Sequence, residues 1–506
     1  MKIPNPGQIR LADAFTIKNT PISSIRLMEQ AAEKLFNTIA ALEAAPAAVY
    51  FIFCGPGNNG GDGLALCRLL LNAGLNAKAY VLPAPEAGYT KDMEENLRRL
   101  RKTDALALSE LSSAKDLPGI SADDFAIDAL FGSGLSRPLN SLAAAVVKHL
   151  NDSPAFRIAI DTPSGLVADA HTPVENTVFR ADITLALHAP RLSFMMPGNE
   201  KYTGEFMVLD IGILPAAFEE GEYPFSFTQA EDVVPMLKTR RKFSHKGTFG
   251  RALLVGGSEG KMGAIILATR ACLKTGAGLV TAYIPRCGLV PMQSAIAEAM
   301  AIADENKPFI VHAPPVGNFT AFALGPGMGR EEKTAKAFLA FLEKATTPLV
   351  LDADALNILA DNPDMLFYVP KNSILTPHPK EFERLAGASA NDFEALYKLQ
   401  DFSIRHEVFV VLKGAYTAVC DPAGNVAFNS TGNPGMATPG SGDTLTGMIC
   451  ALLAQGYTPH ESAVLGVYLH GLAGNLAAEE TGYEALNATD IINYIGKAFL
   501  ALRGGV

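Results

Sequence analysis

Apolar positions along this chain follow two alternating patterns. Short unbroken runs, such as Ala48-Val-Tyr-Phe-Ile-Phe-Cys54, are apolar at successive positions. A strand buried on both faces of a parallel sheet reads that way. Longer segments repeat every four positions, as at Leu27, Ala31, Leu35 and Ile39 within residues 24–42. That is the stripe of an amphipathic helix. The first set of runs predicts strands at 48–54, 77–82, 125–129, 157–160 and 183–187. A glycine turn at 55–63 and a helix at 64–73 follow the first strand. The pattern lapses around 211–224 into Pro, Gly and acidic residues, which predicts a linker. It restarts at Arg251-Ala-Leu-Leu-Val-Gly-Gly257, with strands predicted at 279–284, 321–324, 348–351, 373–375 and 408–412. Alternating strand and helix signals imply right-handed crossovers. The fold class expected is α/β, two three-layer αβα domains covering residues 1–218 and 219–506.

Length supports two domains, because 506 residues exceed one hydrophobic core. A net charge of −10 excludes general nucleic-acid binding. Anionic ligands must then be held by local dipoles and a few cations. No apolar run is long enough for a bilayer, and the first residues lack the apolar centre of a signal peptide. The six Cys are scattered without a C-x-x-C pair, and the nine His show no metal-ligand spacing. These features predict a reducing cytoplasm and no zinc site.

The most telling segment is Asn433-Pro-Gly-Met-Ala-Thr-Pro-Gly-Ser-Gly-Asp-Thr-Leu-Thr-Gly447. It sets several glycines around Asp443, just before an apolar run. Glycines let backbone N–H groups approach an anion, and a following helix aims its positive end at the same point. A carboxylate there would repel a phosphate. As a base taking a proton from a hydroxyl while the amides hold a phosphoryl group, it makes sense. Four other clusters sit at predicted strand ends: Gly325-Pro-Gly-Met-Gly329, Asp352-Ala-Asp354 (suited to Mg²⁺ through water), His378 between two prolines, and Lys413, placed to meet nucleotide phosphates. Each alone is also compatible with an ordinary turn or surface residue.

Their order resembles the ribokinase-like superfamily. Lys246-Gly-x-x-Gly250, Gly256-Gly-Ser-x-Gly260, Gly263-Ala264, Thr376-Pro-His-Pro-x-Glu-Phe382, Lys413-Gly414 and Gly440-Ser-Gly-Asp-Thr-Leu-x-Gly447 are similar to the nucleotide-dependent NAD(P)H-hydrate dehydratases. The resemblance implies a ribokinase-like second domain that removes water from hydrated NADH or NADPH, using ADP with Mg²⁺. It implies nucleotide contacts from Lys413, Gly414, Ala415, Tyr416, Thr417 and Gly442. Ala264, Gly327, His378 and Asp443 would line the hydrate site, with Asp443 as the catalytic base.

In the first half, Gly55-Pro-Gly-Asn-Asn-Gly-Gly-Asp-Gly63 has neither dinucleotide-fold spacing nor the Lys of a nucleoside-triphosphate loop. Asp128-Ala-Leu-Phe-Gly-Ser-Gly134 and Asp161-Thr-Pro-Ser-Gly165 also end predicted strands. Three strand ends carrying acids, amides and glycines suit oxygen ligands for a weakly held cation, plus one carboxylate for proton transfer. An Asp capping a helix is the plainer reading of any one of them.

Together they resemble the NAD(P)H-hydrate epimerase family, whose fold is Rossmann-like. That implies hydrate binding by Asn58, Asn59, Gly60, Gly61 and Asp62, and by Gly132, Ser133, Gly134, Leu135, Ser136, Arg137 and Pro138. It implies K⁺ held by Asn59, Asp128 and Ser164, and Asp161 as the catalytic acid/base. Small-molecule partners and a homo-oligomer are expected. The alternative is a vitamin-precursor kinase with a non-catalytic amino-terminal binding module.

Overall fold

A computed structural model describes all residues except 46, 87, 136, 306, 505 and 506. The chain forms two compact units, one comprising residues 2–223 with 391–393, the other Met1 with 224–390 and 394–506.

The first unit is built on seven strands: β1 (Val49–Cys54), β2 (Asn76–Val81), β3 (Leu108–Glu110), β4 (Phe125–Ala129), β5 (Phe156–Ile160), β6 (Ile183–Leu187) and β7 (Glu205–Leu209). All pair in parallel, in the order β3-β2-β1-β4-β5-β6-β7. Alternate residues of β1 feed two separate cores, Tyr50, Ile52 and Cys54 on one face, Phe51 and Phe53 on the other. Helices cover both faces, which makes the unit three-layered. The strand order reverses at β1 and β4, and open parallel sheets bind ligands beyond the carboxyl ends at such a point.

Ten strands make the second sheet: β8 (Phe225–Thr228), β9 (Arg251–Val255), β10 (Leu279–Ile284), β11 (Met300–Ala303), β12 (Ala321–Leu324), β13 (Leu349–Leu351), β14 (Ile374–Leu375), β15 (Phe409–Leu412), β16 (Ala418–Cys420) and β17 (Val426–Asn429). Their order is β11-β10-β9-β12-β13-β14-β15-β16-β17-β8. Among the described residues only the pairs β15–β16 and β16–β17 are antiparallel. Ala321 and Ala323 face a core shared with helices Met262–Thr275 and Ser441–Ala454, while Phe322 meets Phe341 of helix Glu332–Leu342 on the opposite face. This unit is also three-layered, and its order reverses at β9 and β12.

Most of the predicted strands match within a residue or two. Six strands escape the hydrophobic pattern: β3, β7, β8, β11, β16 and β17. β3, β11 and β8 close sheet edges and are short. β7 and β11 alternate exposed and partly buried positions, unlike the central strands, which are buried on both faces. Among the described residues no helix is long and apolar enough to cross a membrane.

Candidate active sites

The first site lies at the carboxyl ends of β1, β4 and β5. Helix Asn58–Asn72 begins inside the glycine cluster, well before the predicted start at 64, so Asn58–Asp62 form its first turns rather than a loop. The glycines permit this by close packing. A Cβ at Gly60 would stand 1.9 Å from the Gly55 carbonyl oxygen, and one at Gly63 would stand 2.6 Å from the Ala129 Cβ. The side-chain amide of Asn59 is buried, and neither its oxygen nor its nitrogen has a partner.

Asp128 is fully buried in β4. Its Oδ2 accepts from the Ser164 N–H at 2.7 Å, and Oδ1 accepts from the Ser164 hydroxyl at 2.7 Å and the Leu130 N–H at 3.0 Å. Burial pushes this carboxyl up to about 6, against the lowering effect of those hydrogen bonds.

Asp161 follows β5 in a left-handed conformation, φ 69°. Its Oδ2 accepts from the Ser133 N–H at 2.7 Å, which ties the 132–138 loop to it. Its Oδ1 is paired with the guanidinium of Arg191, a side chain 1% exposed. Arg191 also donates to the carbonyls of Ala189 at 2.6 Å and Leu187 at 3.2 Å. A Cβ on Gly132 would stand 2.5 Å from Asp161 Oδ2 and 3.5 Å from Asn59 Cγ. Asn59, Gly132 and Asp161 therefore converge, and Gly134, Leu135, Arg137 and Pro138 continue the same loop. Ser136 lies outside the described residues. Arg191 has no motif of its own in the sequence, and Asp13, in helix Pro6–Asn19, lies before the recognisable clusters. Burial and the neighbouring Asp161 push the Asp13 carboxyl up to about 6. Burial, with Asp161 and Asp13 adding to it, also pushes Asp62 well up.

The second site forms where helix Ser441–Ala454 begins. Gly440 is its N-cap with φ 89°, a conformation that favours glycine, and Asp443 stands in the first turn. Lys413, just after β15, places Nζ 2.9 Å from Asp352 Oδ1. A Cβ on Gly442 would stand 3.2 Å from that Nζ, so the ammonium adjoins the helix start. Burial works against the charge of Lys413, but Asp352 outweighs it and holds the ammonium above its ordinary range. Burial and then Asp352 push the Asp443 carboxyl up to about 6, with Lys413 opposing.

Asp352 is not the water-exposed Mg²⁺ carboxylate that its sequence position suggests. It is 1% exposed, and its second oxygen accepts from the Thr446 hydroxyl at 2.7 Å. Asp354 Oδ2 accepts from the Gly329 N–H at 2.9 Å, fixing the 325–329 turn. A Cβ on Gly327 would stand 3.3 Å from the Ala264 Cβ, so those two residues share one wall. His378 is the N-cap of helix Pro379–Ala386; its Nδ1 accepts from the N–H groups of Lys380 at 3.2 Å and Glu381 at 3.4 Å. The residues after Lys413 make a turn closed by the Thr417 hydroxyl, which donates to the Gly414 carbonyl at 3.0 Å. His470, which no motif marked, sits behind the helix start with Nε2 3.3 Å from Ser441 Oγ; burial pushes it down to about 4, so it is neutral.

A separate cavity of about 640 Å³ is lined by Lys238, Arg240, Arg241, Lys274, Tyr457 and Arg503 among others, none of them a residue of these sites. Lys238 and Arg240 donate to the Gly456 and Gly276 carbonyls at 2.6 and 2.7 Å, so they serve as helix-end caps.

Fold and geometry define a class: two α/β units on one chain, the second ribokinase-like, with a carboxylate in the first turn of a glycine-started helix. Residues 252–497 match the family described as NAD(P)H-hydrate dehydratase, and residues 24–193 match the YjeF-related protein N-terminus. The chain is 34% identical over 520 residues to the bifunctional NAD(P)H-hydrate repair enzyme Nnr of Thermofilum pendens, covering 99% of this chain and 97% of that one. It is 36% identical over 492 residues to the enzyme of the same name from Moorella thermoacetica, covering 94% and 92%. A crystal structure of the ADP/ATP-dependent NAD(P)H-hydrate dehydratase from Bacillus subtilis, co-crystallised with ATP/Mg²⁺, aligns at TM-score 0.50 and 30% identity, covering 55% of this chain and 98% of that one. The chain belongs to the family of bifunctional NAD(P)H-hydrate repair enzymes. The vitamin-kinase alternative is not favoured, because the relatives span both halves.

Proposed function

We propose that residues 1–218 interconvert the R and S hydrates of NADH and NADPH, and that residues 219–506 dehydrate the S hydrate with ADP, releasing AMP and phosphate. The observation that carries the second half is the placement of Asp443 in the first turn of a helix whose glycine start adjoins Lys413. Hydroxide is a poor leaving group, and transfer of a phosphoryl group to the ring hydroxyl makes it a good one. Asp443 takes the hydroxyl proton, contributing about 10²–10⁴-fold. The Gly440–Gly442 amides carry the charge that develops on the transferred group. Elimination of phosphate then restores the ring double bond. Lys413 and the 414–417 turn bind the nucleotide, and Ala264, Gly327 and His378 line the hydrate pocket.

Among the described residues no cluster of three or more His, Cys, Asp or Glu is arranged for a metal. Mg²⁺ would enter with the nucleotide and would neutralise part of its phosphate charge. In the first half, the buried amide of Asn59 lacks a partner for its oxygen, which fits a cation. K⁺ would be held there by Asn59, Asp128 and Ser164 and would supply fixed positive charge beside the hydrate. Asn58, Gly60, Gly61, Asp62 and the 132–138 loop bind the substrate, and Asp161 moves the proton. A cytoplasmic homo-oligomer belongs to the same reading.

The test is absorbance at 340 nm on mixed NADH-hydrate epimers with ADP and Mg²⁺. A rise that requires nucleotide and consumes the whole mixture is expected. A rise that stops at one epimer rejects the assignment of the first half, and no rise with ADP or ATP rejects that of the second.

A further inference from the structure

The epimerase reading uses one proton-transfer group, yet the pocket holds more carboxylates than counter-ions. Asp161 has Arg191 as its partner. Asp62 and Asp13 stand within electrostatic reach of Asp161 and of each other. Among the described residues neither side chain has a hydrogen bond or ion pair, although Asp62 is 7% exposed. Of the two, Asp13 alone is also within the field of Arg191. It comes from helix Pro6–Asn19, which precedes the 24–193 family match and has no role in the motifs. Arg10, one turn before Asp13 on the same helix, places Nη1 3.9 Å from where a Gly134 Cβ would stand. Residues three apart share a helix face. This helix therefore turns one side toward both the 132–138 loop and the carboxylate cluster.

We propose that helix Pro6–Asn19 completes the epimerase site and that Asp13 is its second acid–base group. The proposal rests on the reading of Asp161 as the first such group. A pair of carboxyls in unlike surroundings, one facing a buried guanidinium and one without a partner, can divide the acid and base roles. Burial and the charge of Asp161 push the Asp13 carboxyl up to about 6, so it holds its proton below that pH, while the Arg191 guanidinium is paired with Asp161. The chemistry balances without an added reagent. Asp13 gives its proton to the hydroxyl of the hydrated carbon; that C–O bond breaks, water departs, and the ring nitrogen's lone pair forms a C=N⁺ bond. Water then adds to the other face, the π electrons return to nitrogen, and Asp161 takes the proton lost by that water. Proton exchange between the two carboxyls, or with solvent, restores the starting state.

The test uses the full chain without nucleotide, following R/S interconversion by chromatography. Asp13→Asn should lower kcat for epimerisation by about 10²-fold, with KM changed less than about threefold. Asp13→Glu should recover part of the loss. The native rate should fall as pH rises above about 6, where Asp13 loses its proton, with Asp161, Asp62 and Arg191 as the titratable and charged groups around it. Dehydration of pure S hydrate by the same variants should be unchanged, which separates a chemical defect from misfolding. Near-native epimerisation by Asp13→Asn beside an inactive Asp161→Asn overturns this proposal alone. Near-native epimerisation by Asp161→Asn overturns the reading beneath it.

Discussion

Asp352 joins Lys413 and Thr446: one oxygen lies 2.9 Å from Lys413 Nζ, the other accepts from the Thr446 hydroxyl at 2.7 Å. A loop after β15 and a helix from the far end of the chain are thus pinned to the end of β13 by one buried carboxylate. Removing one partner of a buried pair leaves the other uncompensated. Asp352→Ala should lower stability by about 3 kcal/mol. Thermal melts of the variant against the native protein check this, and an unchanged Tm would show that the pair does not hold the site together.

Asp443→Asn keeps the shape of the helix start and removes only the proposed base. Dehydration should fall by about 10³-fold while ADP binding changes little. Single-turnover absorbance at 340 nm and calorimetric titration with ADP measure the two effects. Parallel loss of both would mean that the residue serves binding.

The raised Asp443 carboxyl also sets a pH response. A base must be ionised, so the dehydration rate should fall as pH drops through about 6. The stability effect has the opposite sign. A carboxyl that titrates near 6 when folded and near 3.8 when unfolded favours the folded state below 3.8, and that advantage is lost as pH rises through 6. Asp443→Asn should therefore stabilise the protein at pH 8, by on the order of 1–2 kcal/mol, and change little at pH 4. Urea titrations at the two pH values test this.

Gly132→Ala puts a methyl 2.5 Å from Asp161 Oδ2. The carboxylate or the loop must shift, since real Cβ contacts are not that short. Epimerisation should drop by about 10²-fold, the order of loss expected from a misplaced catalytic group, without loss of dehydration. A native epimerisation rate would show that the loop gives way freely.

Much of the architecture was legible because buried parallel strands are apolar throughout. β10 and β12 coincide with their predicted ranges for that reason. Edge strand β8 depends on β17, a partner about two hundred residues away, while β16 and β17 are short strands that pair locally. The glycine clusters were legible as anion-binding turns, but the early start of helix Asn58–Asn72 was not. Glycine has low helix propensity, and here close packing on Gly55 and Ala129 overrides it.

The sequence by itself determined the two α/β halves, the strand-end clusters, and Asp161 and Asp443 as the groups proposed to carry the chemistry. These are properties of local pattern and residue type. Only the tertiary structure decided that Arg191 neutralises Asp161, that Asp13 reaches the same pocket from the first helix, that Asp352 anchors Lys413 and Thr446, and that the His378 ring caps its own helix. The physical reason is that a charge's role depends on what shares its low-dielectric surroundings, and folding brings those neighbours from sequence positions far apart.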